Sequence, residues 1–155
     1  GITVEQAREK GSQDPAVINK RLRVDVTGWP GPPGIGDKIT ELLKKPNAQY
    51  KMIRHGLVVY RKTSQIPVDL RTSQDTEIRK MFAAHGAFHR NEEREGRLLA
   101  AGPFDADHPE FHGVRIYRTT DVAEMKRWVA EDPMVRMGIA EPVVLVWMVA
   151  EGVMP

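Results

Sequence analysis

Between Asp75 and Pro103 the hydrophobic pattern changes period, and that change limits the folds open to the chain. Ile78, Met81, Phe82, His85 and Phe88 recur at three- and four-residue steps, the spacing of one face of an α-helix that Ser73 or Asp75 can open. Glu92, Glu93 and Arg94 are expected to be solvated near its end, and Gly96 is a residue type that stops such a helix. Arg97 to Ala101 then read as a short strand ending at Gly102-Pro103. A helix with one apolar stripe has to bury it, and a sheet is the layer that strands on either side of it provide.

The rest of the body repeats the alternation. Leu57-Val-Val-Tyr60, rich in β-branched and aromatic side chains, predicts a strand buried on both faces or nearly so. Ser64 to Ser73, with Pro67, and Asp105 to His112 read as loops. Val114-Arg-Ile-Tyr-Arg118 alternates as a half-buried strand should. Asp121-Val-Ala-Glu124 has the spacing of a capping box and opens a helix whose Val122, Met125 and Val129 face the core. Asp132-Pro133 predicts one more short helix, stopped by Gly138, and Val143 to Ala150 a long, central last strand. The order βαββαβ predicts an α+β, ferredoxin-like fold with both helices on one face of an antiparallel sheet. The other face is apolar, so a second copy of the sheet is its natural cover and a homodimer is expected.

The organisation predicted is an N-terminal arm over residues 1–50 and a domain over residues 51–155. In the arm, Asp14-Pro15 opens a short helix to about Leu22. Gly28 to Gly36 holds four Gly and three Pro in nine residues and must be a loop, held by Trp29 and Ile35. Asp37 can cap a further helix to about Lys45, with Pro46 ending it. The arm is expected to pack on the body or on a partner subunit; a disordered leader is the alternative.

Several function classes drop out. Without Cys there is no thiolate metal site and no Cys nucleophile. Lys and Arg number 23 against 21 Asp and Glu, with the two signs interleaved rather than gathered in a basic stripe, which argues against nucleic acid as a partner. The longest apolar run, Val143 to Ala150, is far short of the ~20 residues of a membrane span, so no membrane partner is expected. Cytoplasmic residence is the expectation, with a removed export signal as the alternative for a sequence that starts at Gly1. No P-loop, dinucleotide fingerprint, Gly-x-Ser-x-Gly elbow or His-Glu-x-x-His appears.

Among five His, His85 sits within the apolar stripe, between Met81-Phe82 and Phe88-His89. A partly desolvated imidazole, whose ordinary pKa is ~6.5, can act as general acid or base near neutral pH. The plainer reading is a core histidine satisfied by a backbone carbonyl. His85 with His89, and His108 with His112, each stand four apart, which leaves metal ligation open although no metal is the reading preferred. Asp132 reads first as an N-cap, a role compatible with accepting a bond from a His. Gly102 and Pro103 end a strand where a ligand could approach the backbone, and a plain turn explains them as well. Arg54, Arg97 and Arg115 could steady a carboxylate or enolate, or be solvated charges.

Three segments together carry a resemblance: His85 eleven positions before Gly96, then Gly96-Arg-Leu-Leu-Ala-Ala-Gly-Pro103, then Glu131-Asp-Pro-Met-Val-Arg-Met-Gly138 before an apolar strand. This resembles the YciI-related (YCII) family over about residues 55 to 150. The resemblance implies a ferredoxin-like domain that dimerises sheet to sheet as a dimeric α+β barrel, similar to muconolactone isomerase and its relatives. It also implies an active-site pair at His85 and Asp132, and small, often aromatic or lactone-type substrates. The long leader with Trp29-Pro-Gly-Pro-Pro33 departs from the compact family pattern. The expected function is a small-molecule isomerase or lyase, using no cofactor, in which His85 moves a proton, Asp132 orients it, and Gly102, Pro103, Arg97 and Arg115 contact substrate. A non-catalytic dimeric ligand-binding domain is the alternative.

Overall fold

The computed structural model of the chain describes residues 3–63, 70, 72–105 and 108–155. Three short helices come first: α1 (Val4–Ser12), α2 (Pro15–Ile18) and α3 (Asp37–Leu43). They are followed by β1 (Met52–Lys62), α4 (Thr76–Arg94), β2 (Leu98–Pro103), β3 (Phe111–Tyr117), α5 (Val122–Ala130), α6 (Pro133–Arg136) and β4 (Ala140–Ala150). All pairings are antiparallel and the strands lie in the order β2-β3-β1-β4. That arrangement of a βαββαβ chain is the ferredoxin-like α+β fold.

Local chemistry explains the boundaries. The Asp75 side chain accepts hydrogen bonds from the amides of Glu77 (2.8 Å) and Ile78 (3.2 Å), two of the free donors at the start of α4. Gly96, with φ of 69°, turns the chain out of α4 in the left-handed conformation that favours glycine. Asp121 caps α5 by accepting from Glu124 N (3.0 Å).

Several expectations are corrected. β1 runs well beyond Leu57–Tyr60, because β4 pairs with it from Met52↔Ala150 to Lys62↔Ala140 and ties down its polar ends. The apolar run in β4 read as a central strand; it pairs with β1 alone and lies at the sheet edge. β3 is buried from Gly113 to Tyr117 instead of alternating, since the far-side residues of its pleat also find a cover. Glu92 has no exposure at all. In the arm, α1 was not anticipated, although Thr3 and Gln6 form a reciprocal capping box there. α2 stops at Ile18, and α3 starts after Gly36, with Asp37 inside it rather than capping it. The loop expected over 64–73 lies outside the described residues except at Leu70, Thr72 and Ser73, and that over 105–112 is described except at residues 106 and 107.

Two apolar clusters sit on either side of the sheet. Between sheet and helices, Val58, Tyr60, Leu98 and Tyr117 pack with Met81, Met125, Val129 and Met134. On the other side Ala100, Val114 and Ile116, joined by Leu57 and Val59, are met by Trp29 and Ile35 of the N-terminal segment and by Val153 and Met154 of the C-terminal one. The two segments are tied together, Gly36 N donating to Val153 O (2.7 Å) and Ile39 N to Gly152 O (3.3 Å). Part of the face expected to await a second copy is therefore covered by the chain itself. Leu145, opposite Leu57 on that face, stays 47% exposed. No helix among the described residues is long and apolar enough to cross a membrane.

Candidate active site

The stripe of α4 points His85 at the sheet, and the Asp-Pro pair that opens α6 brings a carboxylate to meet it. Asp132 Oδ1 accepts from Met134 N (2.9 Å), which is the cap, and lies 2.8 Å from His85 Nδ1. Burial pushes the Asp132 carboxyl up, but the bond from His85, the positive charge of Arg115 and the Met134 amide together outweigh it and hold the group below its ordinary value. An ionised carboxylate only accepts, so the Nδ1 of His85 carries a proton and Nε2 is the nitrogen left for other chemistry.

Arg115 completes the group from β3. It is 3% exposed, and its Nη2 lies 3.0 Å from Asp132 Oδ2. Its guanidinium stacks over the rings of Tyr60 (5.2 Å) and Phe88 (4.9 Å). Burial would lower its pKa, yet the surrounding tyrosines and Asp132 raise it, so the cation is kept. Burial drives the Tyr60 phenol well above its usual range. The His85 ring is flanked by Phe82, stacked at 6.2 Å, and by Tyr60, edge-on at 6.4 Å.

These side chains bound a cavity of about 500 Å³ between α4 and the ends of β2 and β3. Tyr60, Phe82, His85, Gly102, His112 and Arg115 are in its wall, whereas Asp132 stands behind His85 and is not. An imidazole in the wall, with a carboxylate behind it that fixes its tautomer, is an arrangement chemically able to transfer a proton.

The residues singled out from the sequence divide. His85 and Asp132 meet, and Gly102, Pro103 and Arg115 line the same cavity. On the reverse side Gly102 backs onto Trp29, where a Cβ would come within 2.7 Å of the indole Nε1. Arg97 is elsewhere: it donates to Glu92 Oε1 (2.8 Å), pairs with Glu95 and stacks on Trp128 (4.6 Å). Its proposed contact with substrate is corrected on that ground: Arg97 precedes β2, and two carboxylates and the Trp128 ring engage its guanidinium away from the cavity. Arg54 is absent from the lining.

The two His pairs do not converge, and no group of three His, Cys, Asp or Glu among the described residues is placed to hold a metal ion. His89 Nε2 pairs with Glu93 (3.3 Å), and His108 Nδ1 accepts from Phe111 N (3.0 Å). Tyr60, Phe82, Lys62 and His112 were not foreseen as lining. For Tyr60 a signal existed, since alternation along Leu57–Tyr60 places it with Val58 on the helix-facing side.

Burial sets one pH dependence. His55, His89 and His112 are each held below the ordinary imidazole value, foremost by desolvation. A His with a lowered folded pKa costs nothing above the unfolded value of ~6.5, and stability is lost as pH falls through the folded value. The melting temperature in scanning calorimetry is expected to fall steadily from pH 7 to pH 5, and His112→Asn to flatten that slope. A melting temperature independent of pH over this range would contradict it.

A ferredoxin-like α+β domain with a His–Asp pair beside a cavity is the class that this geometry defines. The chain belongs to the YCII family, the model of the YCII-related domain matching residues 57–148. No curated protein and no solved structure matches it.

Proposed function

We propose that the chain is a small-molecule enzyme of isomerase or lyase type, in which His85 is the general acid/base and Asp132 its positioning partner. The observation that carries this reading is the 2.8 Å contact between His85 Nδ1 and Asp132 Oδ1 at the wall of the cavity. Nε2 of His85 takes a proton from carbon beside a carbonyl, and the imidazolium formed is stabilised by the Asp132 carboxylate. Return of that proton to a second atom completes an isomerisation; expulsion of a leaving group completes an elimination. No cofactor enters these steps. Arg115 offsets the charge of Asp132, so that the carboxylate can stay ionised where water is scarce.

Residues 1–50 act as an arm on a domain of residues 51–155, and a second copy packs on the part of the sheet face that the arm leaves open, around Leu145.

The test is a panel of lactones, quinones and keto acids, with binding and turnover both measured. His85→Asn is expected to retain binding and to lose turnover by about 10²- to 10⁴-fold. Turnover that survives His85→Asn would remove the proton-transfer role, and a panel that binds without turnover would favour a domain that only binds ligands.

A further inference from the structure

Eight buried side-chain nitrogen or oxygen atoms among the described residues have no hydrogen-bond partner, and five of them belong to this one site: Tyr60 Oη, His112 Nε2, Arg115 Nη1 and Nη2, and Asp132 Oδ2. Buried polar groups are nearly always paired, so a cluster of unpaired ones asks for a missing partner. Arg115 Nη2 and Asp132 Oδ2 already attract each other as an ion pair at 3.0 Å, which leaves Tyr60 Oη, Arg115 Nη1 and His112 Nε2 as the atoms short of a partner.

The imbalance has a sign. Asp132 Oδ2 lies 3.0 Å from Arg115 Nη2, and that one oxygen cannot also satisfy Arg115 Nη1 and the Tyr60 hydroxyl. Arg115 and Tyr60 are 3% and 4% exposed, so bulk water does not make up the difference. Lys62, also in the wall, donates its Nζ to the neutral carbonyl of His108 (2.5 Å). Asp105, the carboxylate residue in the lining, is exposed and accepts from Gly28 N (3.0 Å). The deep wall is thus rich in donors and cations and short of acceptors.

We infer that the cavity takes an organic carboxylate, its two oxygens shared between Arg115 and the Tyr60 hydroxyl and its apolar body against Phe82 and His85. Arginine matches a carboxylate with two donors in one plane, and in a low-dielectric wall such a bond is stronger than in water. This rests on the enzyme reading above and names its substrate class: a carboxylate held here sets the neighbouring carbons beside the His85 ring.

The probes are benzoate and benzamide, alike in shape and different in charge, titrated into the full chain by calorimetry at pH 7.5. Benzoate is expected to bind at least tenfold tighter. Arg115→Met should erase that preference; because it strands Asp132, Tyr60→Phe serves as the second variant and should weaken benzoate about threefold with benzamide unchanged. Equal binding of the two probes, a preference untouched by Tyr60→Phe and Arg115→Met, or no binding of benzoate, phenylacetate and hexanoate alike would overturn the carboxylate class. None of these outcomes bears on the His–Asp pair. The latter is read separately, from the NMR nitrogen shifts that report which ring nitrogen of His85 carries the proton: Asp132→Asn is expected to change that tautomer preference, and an unchanged one would remove the enzyme reading while leaving a carboxylate preference in place.

Discussion

Asp132→Ala is expected to lower the free energy of unfolding by about 3–5 kcal/mol, the range for removing one member of a buried charge pair. Asp132 has no exposure, and Arg115 beside it is 3% exposed, so the cation left behind has neither a counter-charge nor water. The cap of α6 goes at the same time, since Oδ1 accepts from Met134 N as well as meeting His85, and caps are worth about 0.5–2 kcal/mol. Urea unfolding at pH 7 with an unchanged m-value is the measurement. Asp132→Asn keeps an acceptor for Met134 N and should cost less.

The acid limb separates charge from shape. The folded carboxyl is held below its ordinary value, so its contribution is complete above the unfolded pKa of about 3.9 and is lost as pH falls through the folded one. That loss, below pH 4, should be absent from Asp132→Asn. A cost under about 1 kcal/mol for Asp132→Ala would mean that the carboxylate is not locked between Arg115 and His85 in solution.

The second large effect lies seven residues along the same helix from His85. Glu92, fully buried, accepts from Tyr117 Oη at Oε2 (2.8 Å) and from Arg97 Nη1 at Oε1 (2.8 Å). Glu92→Leu should destabilise by about 2–3 kcal/mol, chiefly because the Tyr117 hydroxyl is left buried without a partner. Arg97, partly exposed and also paired with Glu95, can turn to water, which keeps the cost below that of Asp132→Ala. Replacing both partners by apolar groups removes the unmet donor, so Glu92→Leu with Tyr117→Phe should lose less than the sum of the two single variants. Strict additivity in that double-mutant cycle would show that the two groups do not interact.

How legible this was depended on range along the chain. Helix starts at Asp75, Asp121 and Asp132 were readable because a cap acts within three residues, and α4 was readable because its stripe keeps one period. The capping box at Thr3 and Gln6 is equally local, but no apolar stripe follows it to mark a helix. The edge position of β4 was not readable: an apolar run reports burial, and which neighbour provides it depends on strand order. Glu92 looked solvated from its charged neighbours, and only the approach of Tyr117 from β3 explains why a carboxylate is stable there.

By itself, then, the order of residues determined the element sequence, the caps, and the presence of one imidazole on an apolar stripe. Tertiary structure alone decided that Asp132, 47 residues away and sufficiently explained as a cap, also meets that imidazole, that Arg115 is buried beside it, and that Arg97 is spent on Glu92. Caps and periods arise from forces that act within one turn. The partner of a buried charge is chosen by whatever the packed sheet and helices bring within about 3 Å, and no single segment carries that information.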